Sequence, residues 1–358
     1  MAMIEIDGRE KSGSGTIVRD SMAFSILAGE GLHLTNIRAK RDRPGLRAQH
    51  LKALQASATI SEGRLKAAEV GSTEIAFAPG GSIQGGEFEW DIGTAGSTVM
   101  LALTLLPVAL FANSPSRYRI TGGLFQDFAP SAFHLQHVLL PRLKRMGAHM
   151  DATIIRPGYV PQGRGIIEVT VAPVKDALKP LNLLDQGQVA RIKGIALSSL
   201  LGERRVSERM AAECRKTLKR IGSEPAIQVL NDSKENPAYR MPSVQPGAAL
   251  AIWAETDRQC LIGSDMAGAR GRSAEFIGKE TARMLFEDLN TGATVDRHLA
   301  DQLIPFAALA DGTSALVIPR MTDHVETRLW LARKILGAET EVEGSVVRIK
   351  GICHRRGV

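Results

Sequence analysis

SMAFSILAGEGLHLTNI (21–37), LTLLPVALFANSPSRYRITGG (103–123) and LIPFAALADGTSALVIPR (303–320) follow one plan: an apolar helical pattern, a Gly or Asn turn, then an alternating strand. Downstream of each comes a second helical pattern with a further strand, LKALQASATISEGRLKAAEV (51–70), HVLLPRLKRMGAHMDATII (137–155) and RLWLARKILGAETEVEG (328–344). Closing strands follow in TEIAFAP (73–79), GIIEVTVAP (165–173) and SVVRIKG (345–351). A β-α-β-α-β-β unit thus fits residues 1–80, 81–175 and 293–358, which predicts a layered α/β fold.

The stretch between the second and third units keeps α/β character but breaks the echo. It holds a charged helix, SERMAAECRKTLKRIG (207–222), strands in AALAIWAET (248–256) and CLIGSD (260–265), and a helix, SAEFIGKETARMLFEDLN (273–290). The expectation is a large domain over 1–180 and 293–358 with a smaller α/β domain inserted at 181–292.

Working outward, the whole chain of 358 residues is 44% hydrophobic and 23% charged, the composition of a globular protein with a sizeable core. Aromatic residues make up only 4%, so Leu, Ile, Val, Ala and Met must fill that core. The longest apolar stretch, Val99 to Ala112, is broken by Thr104 and Pro107 and falls short of the roughly 20 residues a membrane span needs. The first residues, MAMIEIDGREKSGSG, lack an apolar signal region and read directly into a strand, which predicts a cytoplasmic location. Cys214, Cys260 and Cys353 are odd in number and far apart, so they read as buried thiols and support neither a disulfide framework nor a cysteine zinc site.

Lys and Arg outnumber Asp and Glu 45 to 38, a net charge of +7 that permits an anionic partner without naming one. Its densest cluster, Arg38, Lys40, Arg41, Arg43 and Arg47 in NIRAKRDRPGLRAQH (36–50), is either a solvated loop or a phosphate-facing one. Pro44-Gly45 would fold these side chains to one side, with Gln49 and His50 opening the next helix. SGSGTIVRD (12–20) places glycines ahead of a helix, where backbone N–H groups and the helix dipole favour an anion, and Arg19 follows one turn on. It is neither a P-loop nor GxGxxG, and taken alone it reads more readily as a structural turn. DIGTAGST (91–98) also leads small residues into an apolar helix, for close packing or for a ligand. The eight histidines show no zinc spacing. His324, beside Asp323 in PRMTDHVETRLW (319–330), stands at a strand-to-helix junction, which is either a helix-capping region that contains a His or a place where a neutral imidazole is presented as nucleophile or base.

Together these blocks resemble the RNA 3′-terminal phosphate cyclase family nearly end to end. The likeness rests on IDG (6–8) with GSG and Arg19, NIRAKRDRPGLRAQH (36–50), DIGTAGST (91–98), LLP (105–107), APS (129–131), GARGRSAE (268–275), HLADQL (298–303) and His324. It implies three β-α-β-α-β-β repeats, as in the enolpyruvyl transferase fold, with a smaller inserted domain of thioredoxin-like topology.

It also implies chemistry. His324 would attack the α-phosphate of ATP to give a covalent histidyl-AMP, AMP would pass to an RNA 3′-phosphate, and the terminal 2′-OH would close a 2′,3′-cyclic phosphate. Arg19, Arg41, Gln49, Leu103, His298, Leu299, Ala300, Asp301 and Gln302 would then form the nucleotide site, Asp301 orienting His324 or holding a metal. Arg38, Lys40, Arg43 and Arg47 would face RNA or phosphate. Mg²⁺ or another divalent cation is implied, with no ligand set that the residues themselves name.

The chain also departs from the family. Where members have Glu, three glycines and Gln, it has Ser12, Gly13, Ser14, Gly15 and Thr16. Leu103 stands where a Gln reads the adenine edge, QDFAPS (126–131) replaces Asn-Pro-x-Ala-Pro-Pro, and PGYVP (157–161) with QGRG (162–165) replaces a His-Gly-Phe-Tyr-Pro block. These losses leave two other readings: a non-catalytic, cyclase-like RNA-binding protein of RNA processing or ribosome assembly, and a small-molecule transferase on the same scaffold.

Overall fold

A computed structural model describes residues 2–219 and 224–356. The end of the expected helix at 207–222 lies partly outside them. The first unit runs β1 (Met3–Asp7), α1 (Gly15–Ala28), β2 (Gly31–Thr35), α2 (Ala48–Ile60), β3 (Arg64–Lys66) and β4 (Ile75–Ala78). β1 and β2 pair in parallel, which requires a crossover and so places α1 on one face of the sheet. β4 lies antiparallel between β2 and β3, giving the order β1-β2-β4-β3.

The second unit repeats this order as β5-β6-β8-β7. It comprises β5 (Gly86–Asp91), α3 (Thr98–Ala109), β6 (Ser116–Gly122), α4 (132–145, with a π turn at Leu135–Leu139), β7 (His149–Arg156) and β8 (Gly165–Ala172).

β9 (Asn182–Leu183) comes next, followed by β10 (Val189–Ser199), α5 (Val206–Lys219), β11 (Ala226–Asp232), β12 (Gly247–Thr256), β13 (Leu261–Ala267) and α6 (Ala274–Asn290). β10 and β11 are parallel and β12 and β13 form an antiparallel hairpin beside them, in the order β11-β10-β12-β13. This is the expected thioredoxin-like arrangement, with α5 and α6 packed on a separate apolar cluster that includes Met210, Cys214, Leu250, Ile277 and Leu285.

The chain closes with α7 (Leu299–Gln302), α8 (Ile304–Leu309), β14 (Thr313–Val317), α9 (323–336), β15 (Glu339–Glu343) and β16 (Val346–Lys350). The last sheet has the order β15-β16-β14-β9, which is the same plan read from its other edge. The first strand of the third unit is therefore β9, on the far side of the intervening segment from the rest of its unit. Strand pairing puts Asn182 and Leu183 with β14, not with the segment at 181–292 where the sequence reading had placed them. A two-residue strand carries no periodicity to read.

The expected α/β fold is thus present, with one apolar cluster running through all three units. Cys214 and Cys260 are buried, whereas Cys353 is only half-buried. Among the described residues no helix is long and apolar enough to cross a membrane. One buried carboxylate fixes the segment that matters most for the site. Asp296 accepts from the backbone N–H of Gly263 in β13 at 2.9 Å and from those of His298 and Leu299 at 2.8 Å, and it faces His134 Nε2 of α4 at 3.2 Å. The turn that opens α7 is therefore tied to both neighbouring layers.

Candidate active site

Two helix starts face each other. α1 begins after Ser14, whose hydroxyl caps Thr16 N–H at 3.3 Å, and α9 begins after Thr322, whose hydroxyl caps Val325 N–H at 3.2 Å. The two helices pack together, so the second residues of both, Thr16 and His324, meet: Thr16 Oγ1 lies 2.9 Å from His324 Nδ1. They open onto a cavity of about 600 Å³ whose wall includes Arg19, Arg38, Arg41, Gln49, Leu103, His298, Asp301, Gln302 and His324.

His324 is exposed on its cavity side. Partial burial pushes its pKa below 6.5, Asp301 opposes the shift, and Arg328, Arg19 and Arg41 add to it. The positive end of α9 acts in the same direction. The imidazole is neutral at pH 7.

Arg19 is buried, and desolvation lowers its guanidinium to about 10, Asp20 opposing. It stays charged at neutral pH. Among the described residues neither Arg19 nor Arg41 forms an ion pair, because the neighbouring carboxylates are taken. Arg328, one helical turn beyond His324, donates to Asp20 Oδ2 and Asp301 Oδ2, both at 2.7 Å. Asp301 therefore holds Arg328 and not His324.

Gln49 accepts from Ser97 N–H at 3.1 Å, fastening α2 to the start of α3 and explaining the small residues of DIGTAGST as close packing: a Cβ on Gly96 would meet Gln49 Cβ at 2.9 Å. Next to it, burial with Arg19, Arg38 and Arg47 nearby depresses His50 to about 2. Its Nδ1 accepts from Arg47 N–H at 3.2 Å, so the remaining proton is on Nε2, beside Gly15 and Arg19, where it is a neutral donor.

The rest of the basic run is divided. Arg38 lines the cavity and braces its own loop, donating to the carbonyls of Arg43 and Gly45 at 2.8 and 2.7 Å. Lys40 donates to the Lys11 carbonyl at 2.7 Å and, like Arg43 and Arg47, lies outside the cavity wall. Leu299 and Ala300 are also off the wall, buried in the core. The sequence reading missed Thr16, His50 and Arg328 as site residues. Only Arg328 left a trace, its i,i+4 spacing from His324 on a helix.

A nucleotide fits this wall. Gln302 is 3% exposed, and neither its Nε2 nor its Oε1 has a protein partner among the described residues, an arrangement that costs free energy unless a ligand group satisfies it. A divalent cation fits less well. Asp301 is held by Arg328, Asp127 by Arg272 at 2.9 and 3.0 Å, and Ser12 shares a 2.9 Å hydrogen bond with Ser14. Among the described residues no group of three or more His, Cys, Asp or Glu can hold a metal ion. The positive charge that the wall itself presents comes from Arg19, Arg38 and Arg41.

Fold and site together define an α/β protein of three like units and a fourth four-stranded sheet, with a neutral imidazole sharing a cavity with arginines that are unpaired among the described residues. A family model described as RNA 3′-terminal phosphate cyclase matches residues 10–342. Curated relatives named RNA 3′-terminal phosphate cyclase include one from Ignicoccus hospitalis, 37% identical over 99% of this chain and 100% of its own. Others come from Methanopyrus kandleri, 36% identical over 96% of each chain, and Hyperthermus butylicus, 37% identical over 99% of each. The chain belongs to the RNA 3′-terminal phosphate cyclase family.

Proposed function

We propose that this protein converts an RNA 3′-terminal phosphate to a 2′,3′-cyclic phosphate at the expense of ATP, in the cytoplasm. The observation that carries the reading is His324: a neutral imidazole open to a cavity that also holds Arg19, Arg38 and Arg41. In the first step His324 Nε2 forms a bond to the α-phosphorus of ATP as the bond to pyrophosphate breaks. In the second, an oxygen of the RNA 3′-phosphate takes the adenylyl group and frees the imidazole. In the third, the terminal 2′-OH attacks the activated phosphorus, loses its proton, and AMP departs.

Phosphoryl transfer places its demands on positioning and charge more than on covalent help from the protein. Arg19 and Arg41 counter charge on the transferring phosphoryl oxygens, the α1 N-terminus adds its partial positive charge, and His50 supplies a neutral N–H. Gln49 positions the α3 loop, Asp301 acts through Arg328, and His298 and Gln302 meet the nucleoside. Arg38, Arg43, Arg47 and Lys40 draw the RNA backbone toward the mouth.

Mass spectrometry after incubation with ATP tests this directly. The expected result is a protein–AMP adduct on His324, absent in His324→Ala, that is consumed when an oligonucleotide with a 3′-phosphate is added. No adduct with any of the four nucleoside triphosphates, together with RNA binding that needs none of them, would instead indicate a non-catalytic RNA-binding protein.

A further inference from the structure

Phe128 is a large apolar side chain left entirely in solvent, 105% exposed, on the loop between β6 and α4. An isolated exposed apolar residue needs no explanation, but this one has three unusual features. It borders the cavity that holds His324, and also a second cavity of about 300 Å³ lined by Met266, Met284, Asp265 and Arg272. Its backbone is left-handed, with φ +64°, a conformation bulky residues avoid. Its loop is also clamped from outside: Asp127 is gripped on both oxygens by Arg272 at 2.9 and 3.0 Å, and Arg272 donates to the Ala267 carbonyl at 2.6 Å. The end of β13 and the loop after it thus hold the ring at the junction of the two cavities.

The neighbouring groups indicate what the ring meets. Gln126, two residues earlier and lining both cavities, has a buried Oε1 without a partner among the described residues, an acceptor for an N–H in the plane of a ligand. Inside lie Arg19, Arg38 and Arg41, which suit phosphate. A ligand that is anionic at one end and a flat, N–H-bearing heterocycle at the other matches all three, and base-on-aromatic stacking tolerates any base. We infer that Phe128 is the stacking platform for a nucleobase whose phosphates sit among the cavity arginines, with Gln126 reading that base's edge. This rests on the nucleotide and RNA chemistry proposed above. The base belongs either to the nucleoside triphosphate or to the 3′-terminal nucleotide of the RNA.

Binding measured in a His324→Ala background, where the ligands do not react, separates the sources. The probes are ATP, a short oligoribonucleotide with a 3′-phosphate, and tripolyphosphate, which has no base. Phe128→Ala is expected to weaken ATP or the oligonucleotide roughly 5- to 100-fold. Tripolyphosphate binding stays unchanged, and Phe128→Tyr stays within about twofold of the parent. The ligand that weakens is the one that stacks. The inference is overturned if both base-bearing ligands bind Phe128→Ala as they bind the parent, or if tripolyphosphate weakens equally. If the parent protein binds neither base-bearing ligand, the cyclase reading fails with it. Retained binding without a Phe128 effect removes the stacking role alone.

Discussion

Thr16 Oγ1 and His324 Nδ1 lie 2.9 Å apart, joining residues separated by 308 positions in the chain. When His324 Nδ1–H donates to this hydroxyl, the lone pair of the ring is on Nε2, the nitrogen free to face the cavity. Thr16 is in this sense a positioning residue. Thr16→Val is expected to slow AMP-adduct formation tenfold or more, roughly the worth of one lost hydrogen bond at a developing positive charge. Thr16→Ser should keep most of the rate. Single-turnover labelling with α-labelled ATP makes the comparison, and an unchanged rate in Thr16→Val would remove the role.

The depressed pKa of His324 sets a pH dependence. The imidazole is the nucleophile only when neutral, so adduct formation rises as pH increases through its pKa. Because that pKa lies below 6.5, the rate should be at its plateau by about pH 7.5 and fall only in more acidic solution. A limb centred above pH 7 in the single-turnover profile would contradict the site electrostatics.

Arg328 supports the site from beneath. Its side chain is 4% exposed and links buried Asp20 to Asp301 on the cavity wall, so removing it leaves both carboxylates without their partner, Asp20 out of reach of solvent. Arg328→Leu should cost about 3–5 kcal/mol of stability, read as a lowered denaturation midpoint, the usual result of breaking a buried pair from one side. Arg328→Lys should recover little, since a single ammonium cannot span both acids with the planar fork.

Gly15 tests how closely the phosphate-facing groups are packed. A Cβ there would meet His50 Nε2 at 2.2 Å and Arg19 Nη1 at 2.8 Å. Both side chains are buried, so Gly15→Ala should displace them at a cost of about 1–3 kcal/mol of stability. Nucleotide affinity of the folded protein should also fall roughly tenfold or more, measurable by equilibrium titration. Unchanged affinity would place His50 and Arg19 outside the binding face.

The repeat was legible because each unit buries its own helix and strand, and burial imposes a period of 3.6 or 2 on apolar residues locally. Arg19, Arg41, Gln49 and His324 were named by motif and resemblance, and the tertiary structure brings them to one cavity. Other features carried no local mark. β9 is two residues long and finds its unit only by pairing with β14 across the intervening segment. Thr16 looked like one more small residue after a glycine, and its hydrogen bond exists only because α1 packs on α9. Arg328 looked like an ordinary helix arginine until two distant acids closed on it.

The amino-acid order alone thus marked the α/β repeat and the segment that breaks it, and nominated a short list of residues for phosphate chemistry. It could do so because periodicity, turn chemistry and charge are written in neighbouring residues. The tertiary structure decided which nitrogen of His324 faces the cavity, which carboxylates are already spent on arginines, and that Phe128 stands bare at the mouth. Each of these depends on contacts between segments far apart in the chain, which packing creates and no local pattern encodes.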